Sequence, residues 1–283
     1  MPVRAGGAVF LLTDYGYADE FAGVVRAVVV RHAPGAVVVD VSHGVAPYDV
    51  RGGALALARV VEHLGPGVVL AVVDPGVGTA RRAVAVTVEP LAGRPYALVG
   101  PDNGLLPWAL DALGGARRAV ALGPSPLSAA ASTFDGRDLF APAAARLWQG
   151  SPLEDLGEEL DAGGLWRLAP PRCAVSPGVV EAEVLWVDRF GNVQLAARPA
   201  DAGAAGVGDE PADELRVEVG TRGHAARRVG AFADLDAGAL GVVVDANGRL
   251  AVVGDRRSAA TVLGVSPGDI VTLRAPRSPG GAP

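Results

Sequence analysis

Residues 69–86 read VLAVVDPGVGTARRAVAV: an apolar run that meets an aspartate, a glycine-rich turn and two arginines before a second apolar run begins. A Val/Ala/Leu run without polar alternation reads as a strand buried on both faces, the mark of a sheet covered by helices. Glycine-rich turns after such strands usually cradle phosphate, yet Asp74 stands at the mouth of this one. The loop fits neither G-x-x-x-x-G-K-[ST] nor G-x-G-x-x-G, and the chain contains no lysine. An anion beside Asp74 would be repelled unless Arg81 cancelled the charge. A cationic or neutral ligand suits the turn better.

The same texture extends on both sides. AVFLL (8–12) leads to a helical pattern over 19–33, AVVVDV (36–41) to one over 49–65, and YALVG (96–100) to GLLPWALDALGG (104–115). Strands alternating with helical patterns predict an α/β fold, here a Rossmann-like N-terminal domain over 1–168 with a central, mostly parallel sheet. Asp49 is the expected N-cap of the second helix. Beyond a Pro-rich stretch at 169–178, read as a linker, the sequence turns to short strands separated by Gly, Asn and Asp turns. That pattern predicts a smaller C-terminal β-barrel domain over 179–274, followed by a disordered tail over 275–283.

Four of the N-terminal strands are expected to end in an aspartate, at Asp14, Asp40, Asp74 and Asp102, each with glycine close behind. Ligands of open α/β sheets bind outside the carboxyl ends of the strands, so these residues predict a polar site. A second cluster, STFDGRDLFAPAAARL (132–147), stands ahead of an alanine-rich helix; taken alone it reads as a capping segment with Asp138 at the helix start and an Arg137 ion pair. VDRFGN (187–192) closes an apolar strand of the second domain and, taken alone, is a hairpin turn.

Composition narrows the classes of partner. The chain has 283 residues, half of them apolar, which is enough for a substantial core. Its formal charge of −6 argues against a nucleic-acid or anionic-membrane surface, because counterion release needs clustered cations. The single cysteine, Cys173, excludes an intrachain disulfide framework and reads as a small filler residue. The apolar run near the N-terminus is too short for a signal-peptide core, and no run approaches a membrane span; a cytoplasmic protein acting on a small molecule is expected. Strand-end aspartates also suit Mg²⁺ and phosphoryl chemistry, but only Arg81, Arg82 and Arg137 would be near to clamp a phosphate, so no metal is expected.

Taken together and in order, TDYGYADEFAGVVRAVV, DVSHGVAPYDV, VVDPGVGTARR, PDNGLL, TFDGRDLFAPAAA, VDRFGNV and DANGRLAV resemble the S-adenosylmethionine hydroxide adenosyltransferases, hydrolase relatives of the fluorinase and chlorinase. The resemblance implies hydrolysis of S-adenosylmethionine to adenosine and methionine, by water or hydroxide attack at the ribose C5′, with no cofactor. It also implies a homotrimer with sites at subunit interfaces. On the matched positions it makes Asp74 and Arg81 the groups that hold and activate the water, beside the Gly76–Val77–Gly78 backbone. It gives Asp14 the ribose hydroxyls, Tyr48 and Phe134 the nucleoside pocket, Asp188 the methionine amino group and Asn192 the adenine side, while Asp19, Asp102 and Asn103 support. Asp135 stands where the family's T-F-H-G-R-D has histidine. Two carboxylates facing one water repel, which should raise one pKa while Arg81 keeps the other ionised. The alternative reading is a catalytically impaired protein that binds S-adenosylmethionine or adenosine. The methionine carboxylate has no matched partner, although Arg256 and Arg257 lie near by in sequence.

Overall fold

The computed structural model describes residues 7–89, 96–123, 133–208, 210 and 212–276. Ser132 and the tail from 277 to 283 lie outside the described residues. The chain divides into two compact units, Met1–Leu168 and Ala169–Pro283.

The first unit is built on a seven-stranded sheet. Its elements are β1 (Ala8–Thr13), α1 (Phe21–His32), β2 (Val37–Ser42), α2 (Val50–Val60), β3 (Gly67–Val72), β4 (Ala83–Val88) and β5 (Tyr96–Pro101). They continue with α3 (Pro107–Ala112), β6 (Ala116–Leu122), α4 (Ala141–Trp148) and β7 (Gly157–Leu160). The strand order is β2-β1-β3-β5-β4-β6-β7. The first three pairings are parallel. The pairings of β4 with β5 and β6, and of β6 with β7, are antiparallel.

Every residue of β3 and of β5 is buried, as unbroken apolar runs require. Along β1 the side chains alternate between two cores. Phe10 and Leu12 join Ala54 and Leu57 of α2 and Leu110 of α3 on one face. Val9 and Leu11 join Val25 and Val29 of α1 and Ala144 and Leu147 of α4 on the other. The Asp49 side chain accepts the Gly52 N–H and caps α2. Because α1 and α2 cover opposite faces, β2 and β3 flank β1 on its two sides, and the direction of winding reverses at the β1/β3 boundary. This is the switch point at which doubly wound sheets open a crevice.

The second unit contains β8 (Cys173–Ser176), β9 (Val179–Val187), β10 (Val193–Leu195), α5 (Pro199–Ala205), β11 (Glu214–Val219) and β12 (Arg222–Arg228). It ends with β13 (Leu240–Val244), β14 (Leu250–Gly254), α6 (Ala259–Leu263) and β15 (Ile270–Arg274). Seven of the strands close into a barrel in the order β10-β14-β13-β12-β11-β15-β9, with β9 returning to β10. The nine residues of β9 make this closure possible: Val179–Glu183 pair with β15, and Val184–Val187 with β10. Strand β8 adds to the outside of β9, so the Pro-rich stretch at 169–178 carries a strand rather than linker alone. Cys173 is exposed on it and fills no core. Among the described residues, no helix is long and apolar enough to cross a membrane.

Candidate active site

Three segments of the first unit converge where the sheet changes direction. Asp14 follows β1 and accepts the Tyr48 amide N–H on Oδ2 at 2.9 Å. Tyr48 adopts the left-handed backbone conformation (φ 67°), which aims its amide at that carboxylate. The turn after β1 is pinned from below. Thr13 Oγ1 accepts the Tyr15 N–H at 3.1 Å and bonds His43 Nδ1 at 2.7 Å, and the Gly16 N–H donates to the His43 carbonyl. Buried His43 therefore supports the turn, with Nε2 3.3 Å from Asp40. Asp40 itself lies inside β2, paired with Leu11, and its carboxylate binds Arg26. The expectation that it ends a strand and joins the site is thus corrected: the strand continues to Ser42.

Asp74 follows β3 by two residues. In the loop after it Thr79 Oγ1 donates to the Gly76 carbonyl and accepts the Arg81 N–H, turning the chain back so that Arg81 faces Asp74. Arg81 Nε lies 3.0 Å from both Asp74 oxygens, and Nη2 bonds Asp74 and Asp135 together. The three side chains are nearly buried, 6% exposed for Asp74, 10% for Asp135 and 12% for Arg81. Burial alone would lower the Arg81 pKa, but the bonds and charges of Asp74 and then Asp135 outweigh it and hold the guanidinium charged. The same guanidinium lies 5.2 Å from the centre of the Phe140 ring.

Asp135 enters from the segment ahead of α4, which begins with a π-helical stretch, Gly136–Phe140. Arg137 pairs bidentately with Asp138, as the sequence suggests, but Asp138 caps nothing. The Arg137 and Asp138 amides both donate to the Phe134 carbonyl, which fixes Phe134 and Asp135 at the site's edge.

These segments enclose a cavity of about 330 Å³, lined by Asp14, Asp19, Tyr48, Asp74, Val77, Phe134 and Asp135, with Arg81 behind the carboxylates. Gly76 is not on the wall; it stands against Arg81, whose Cγ would lie 3.2 Å from a Cβ there. Four acids against one arginine give the cavity a surplus of negative charge. Sequence reasoning overlooked Tyr15, which also lines the cavity. Burial, followed by the charges of Asp14, Asp74 and Asp135, raises its pKa and keeps its hydroxyl protonated. The signal was its place between Asp14 and Gly16, immediately past a strand end.

Asp188 and Asn192 belong to the second unit and are not among the residues gathered around this cavity. The Asp188 carboxylate accepts the amides of Phe190 and Asn192 and the Asn192 Nδ2–H₂ at 2.7 Å, closing the turn on itself. Arg256 and Arg257 are exposed on that unit too. Asp102 receives Arg82 and the Trp166 amide, and Asn103 donates to the Val73 carbonyl; both brace the sheet end rather than line the cavity. A larger cleft, about 700 Å³, opens on the barrel, where Arg216 pairs with Glu218 and Arg227 with Asp236.

Comparison with known proteins matches both units to family models. Residues 9–157 match the SAM hydroxide adenosyltransferase N-terminal domain and residues 182–272 its C-terminal domain. A protein of Salinispora tropica named (R)-S-adenosyl-L-methionine hydrolase is 47% identical over 93% of this chain and 96% of its own. One of the same name from Thermus thermophilus is 43% identical over 94% and 98%. A crystal structure of an uncharacterized conserved protein from Thermotoga maritima superposes with a TM-score of 0.85 at 33% identity, covering 94% of this chain and 99% of that one.

Proposed function

The chain belongs to the SAM hydroxide adenosyltransferase family, and from that premise we propose that it hydrolyses S-adenosyl-L-methionine to adenosine and L-methionine. The observation that carries the reading is one guanidinium holding two nearly buried carboxylates beside an acidic cavity. A sulfonium is a cation, so it is drawn to such a cavity where a phosphate would be repelled. Its displacement releases a neutral thioether and needs neither a general acid nor a cofactor. What the protein must supply is a positioned, desolvated nucleophile.

In this mechanism water sits against Asp74 and Asp135. Its oxygen forms the bond to C5′ as the C5′–S bond breaks, and that electron pair stays on the methionine sulfur. The water's proton passes to one of the two carboxylates and then to solvent. Arg81 keeps the pair together and offsets its charge. Asp135 thus takes the place of the family's histidine as a second acceptor. Asp14 binds the ribose hydroxyls, and Phe134 and Tyr48 line the nucleoside. Asp188 and Asn192 serve the methionine amino group and the adenine from a neighbouring copy within a homotrimer, a role that suits an exposed turn with Phe190 at its tip. A single cysteine fits action in the cytoplasm.

The test is to incubate the purified protein with S-adenosylmethionine, with and without chloride and chelator, and to follow adenosine, methionine and 5′-chloroadenosine by chromatography. Adenosine and methionine in equal amounts, indifferent to both additives, are the expected result. Binding without turnover, restored by Asp135→His, would overturn it. Light scattering that shows a monomer would overturn the shared-site arrangement.

A further inference from the structure

Tyr15 lines the cavity, yet the mechanism above gives it no work. Its ring is fixed by neighbours, 6.0 Å from Phe21 and 5.7 Å from Phe134 between centroids, nearly perpendicular to the latter. Where the hydroxyl ends is marked by Gly136: a Cβ on that residue would lie 2.2 Å from Tyr15 Oη and 3.2 Å from Cζ. A side chain at 136 and a hydroxyl at 15 exclude each other, so glycine is what admits the hydroxyl to the cavity wall that Asp135 also lines. Among the described residues no protein group bonds that hydroxyl; only the Tyr15 backbone N–H has a partner. A rigidly held donor that faces a cavity without a protein partner is placed to bond what enters the cavity. Burial, and after it the carboxylates around it, favour its protonated form, so it acts as donor.

Resting on the hydrolase reading, we propose that Tyr15 Oη is a third ligand of the attacking water. A water with two O–H bonds and two lone pairs is fully oriented when three of its four positions are taken. It donates to Asp74 and to Asp135, accepts from the Tyr15 hydroxyl, and is left with one lone pair to aim at C5′. The hydroxyl moves no proton; it removes the rotational freedom that would otherwise be lost only in the transition state.

The test compares wild type, Tyr15→Phe, Gly136→Ala and the double variant in steady-state turnover, with adenosine affinity measured by calorimetry. Tyr15→Phe keeps the ring packing and deletes only the oxygen. We expect kcat to fall about 10-fold or more while KM and the adenosine Kd stay within about twofold. Gly136→Ala displaces the hydroxyl, so its loss should be of similar size and should not multiply with that of Tyr15→Phe. A kcat within about twofold of wild type in Tyr15→Phe would overturn the proposal, as would a loss carried by KM or by adenosine affinity, or losses that multiply in the double variant. Absence of adenosine from the wild-type reaction would overturn the hydrolase reading, and this inference with it.

Discussion

Arg81 Nε lies 3.0 Å from each carboxylate oxygen of Asp74, a two-oxygen contact that only a forked, planar cation extends to a second acid at the same time. Lysine in its place keeps the charge and loses the fork. We expect Arg81→Lys to lower kcat by about 100-fold, and Arg81→Met to cost about 3 kcal/mol of stability by leaving two nearly buried carboxylates uncompensated. Turnover and urea unfolding check the two effects separately. Unchanged turnover in the lysine variant would sink the bridging role.

Asp14 has one oxygen committed to the Tyr48 amide and faces the cavity. Hydrogen bonds to a charged group contribute about 1.5–3 kcal/mol. Asp14→Asn should therefore weaken adenosine binding by about 10-fold or more in calorimetry, with the fold intact by circular dichroism. Unaltered affinity would remove Asp14 from the ribose.

Tyr15 gives a dependence on alkaline pH. Burial first, and then Asp14, Asp74 and Asp135, raise its pKa in the folded chain above the ordinary value of 10.0. A group raised on folding contributes its full stability below the unfolded pKa and loses it as the pH climbs toward the folded one, because the unfolded chain releases its proton first. Thermal melts from about pH 8 to 11 should show wild type losing Tm more steeply above about 10 than Tyr15→Phe. Parallel curves would contradict the placement of the hydroxyl.

Asp102 behaves as a brace. Its side chain is only 4% exposed and ties Arg82 to the Trp166 amide. Asp102→Ala should cost about 1–3 kcal/mol in chemical denaturation, since it removes the acceptor of the Trp166 amide and the carboxylate of Arg82, while kcat stays within about threefold. A large loss of kcat without loss of stability would make Asp102 part of the site.

Much of this was legible from residue order because apolar runs and strand-end acids obey local rules. The unbroken run into Asp74 announced a covered strand, and Asp49 ahead of its helix announced a cap. Asp40 misled because a buried-looking run does not say where a strand stops; β2 continues past it to Ser42 at the sheet's edge. The Arg81 bridge was only partly visible. Its contact with Asp74 spans seven residues, whereas that with Asp135 spans 54 and depends on the register of the π-helical turn. Tyr15 and Gly136 met the same difficulty, since their mutual exclusion is a fact of tertiary distance.

The Arg81–Asp135 bond also sets the order in which the buried charge cluster is completed during synthesis. A ribosome that has released the first 130 residues has delivered Asp14, Asp74 and Arg81 but not the acid that completes the pair. Helix α4, which brings that acid into place, docks on α1 and β3, elements made long before it. A chain that stops short of Asp135 therefore carries Asp74 and Arg81 without their second acid, and the three-membered cluster is complete only once the segment ahead of α4 has been made.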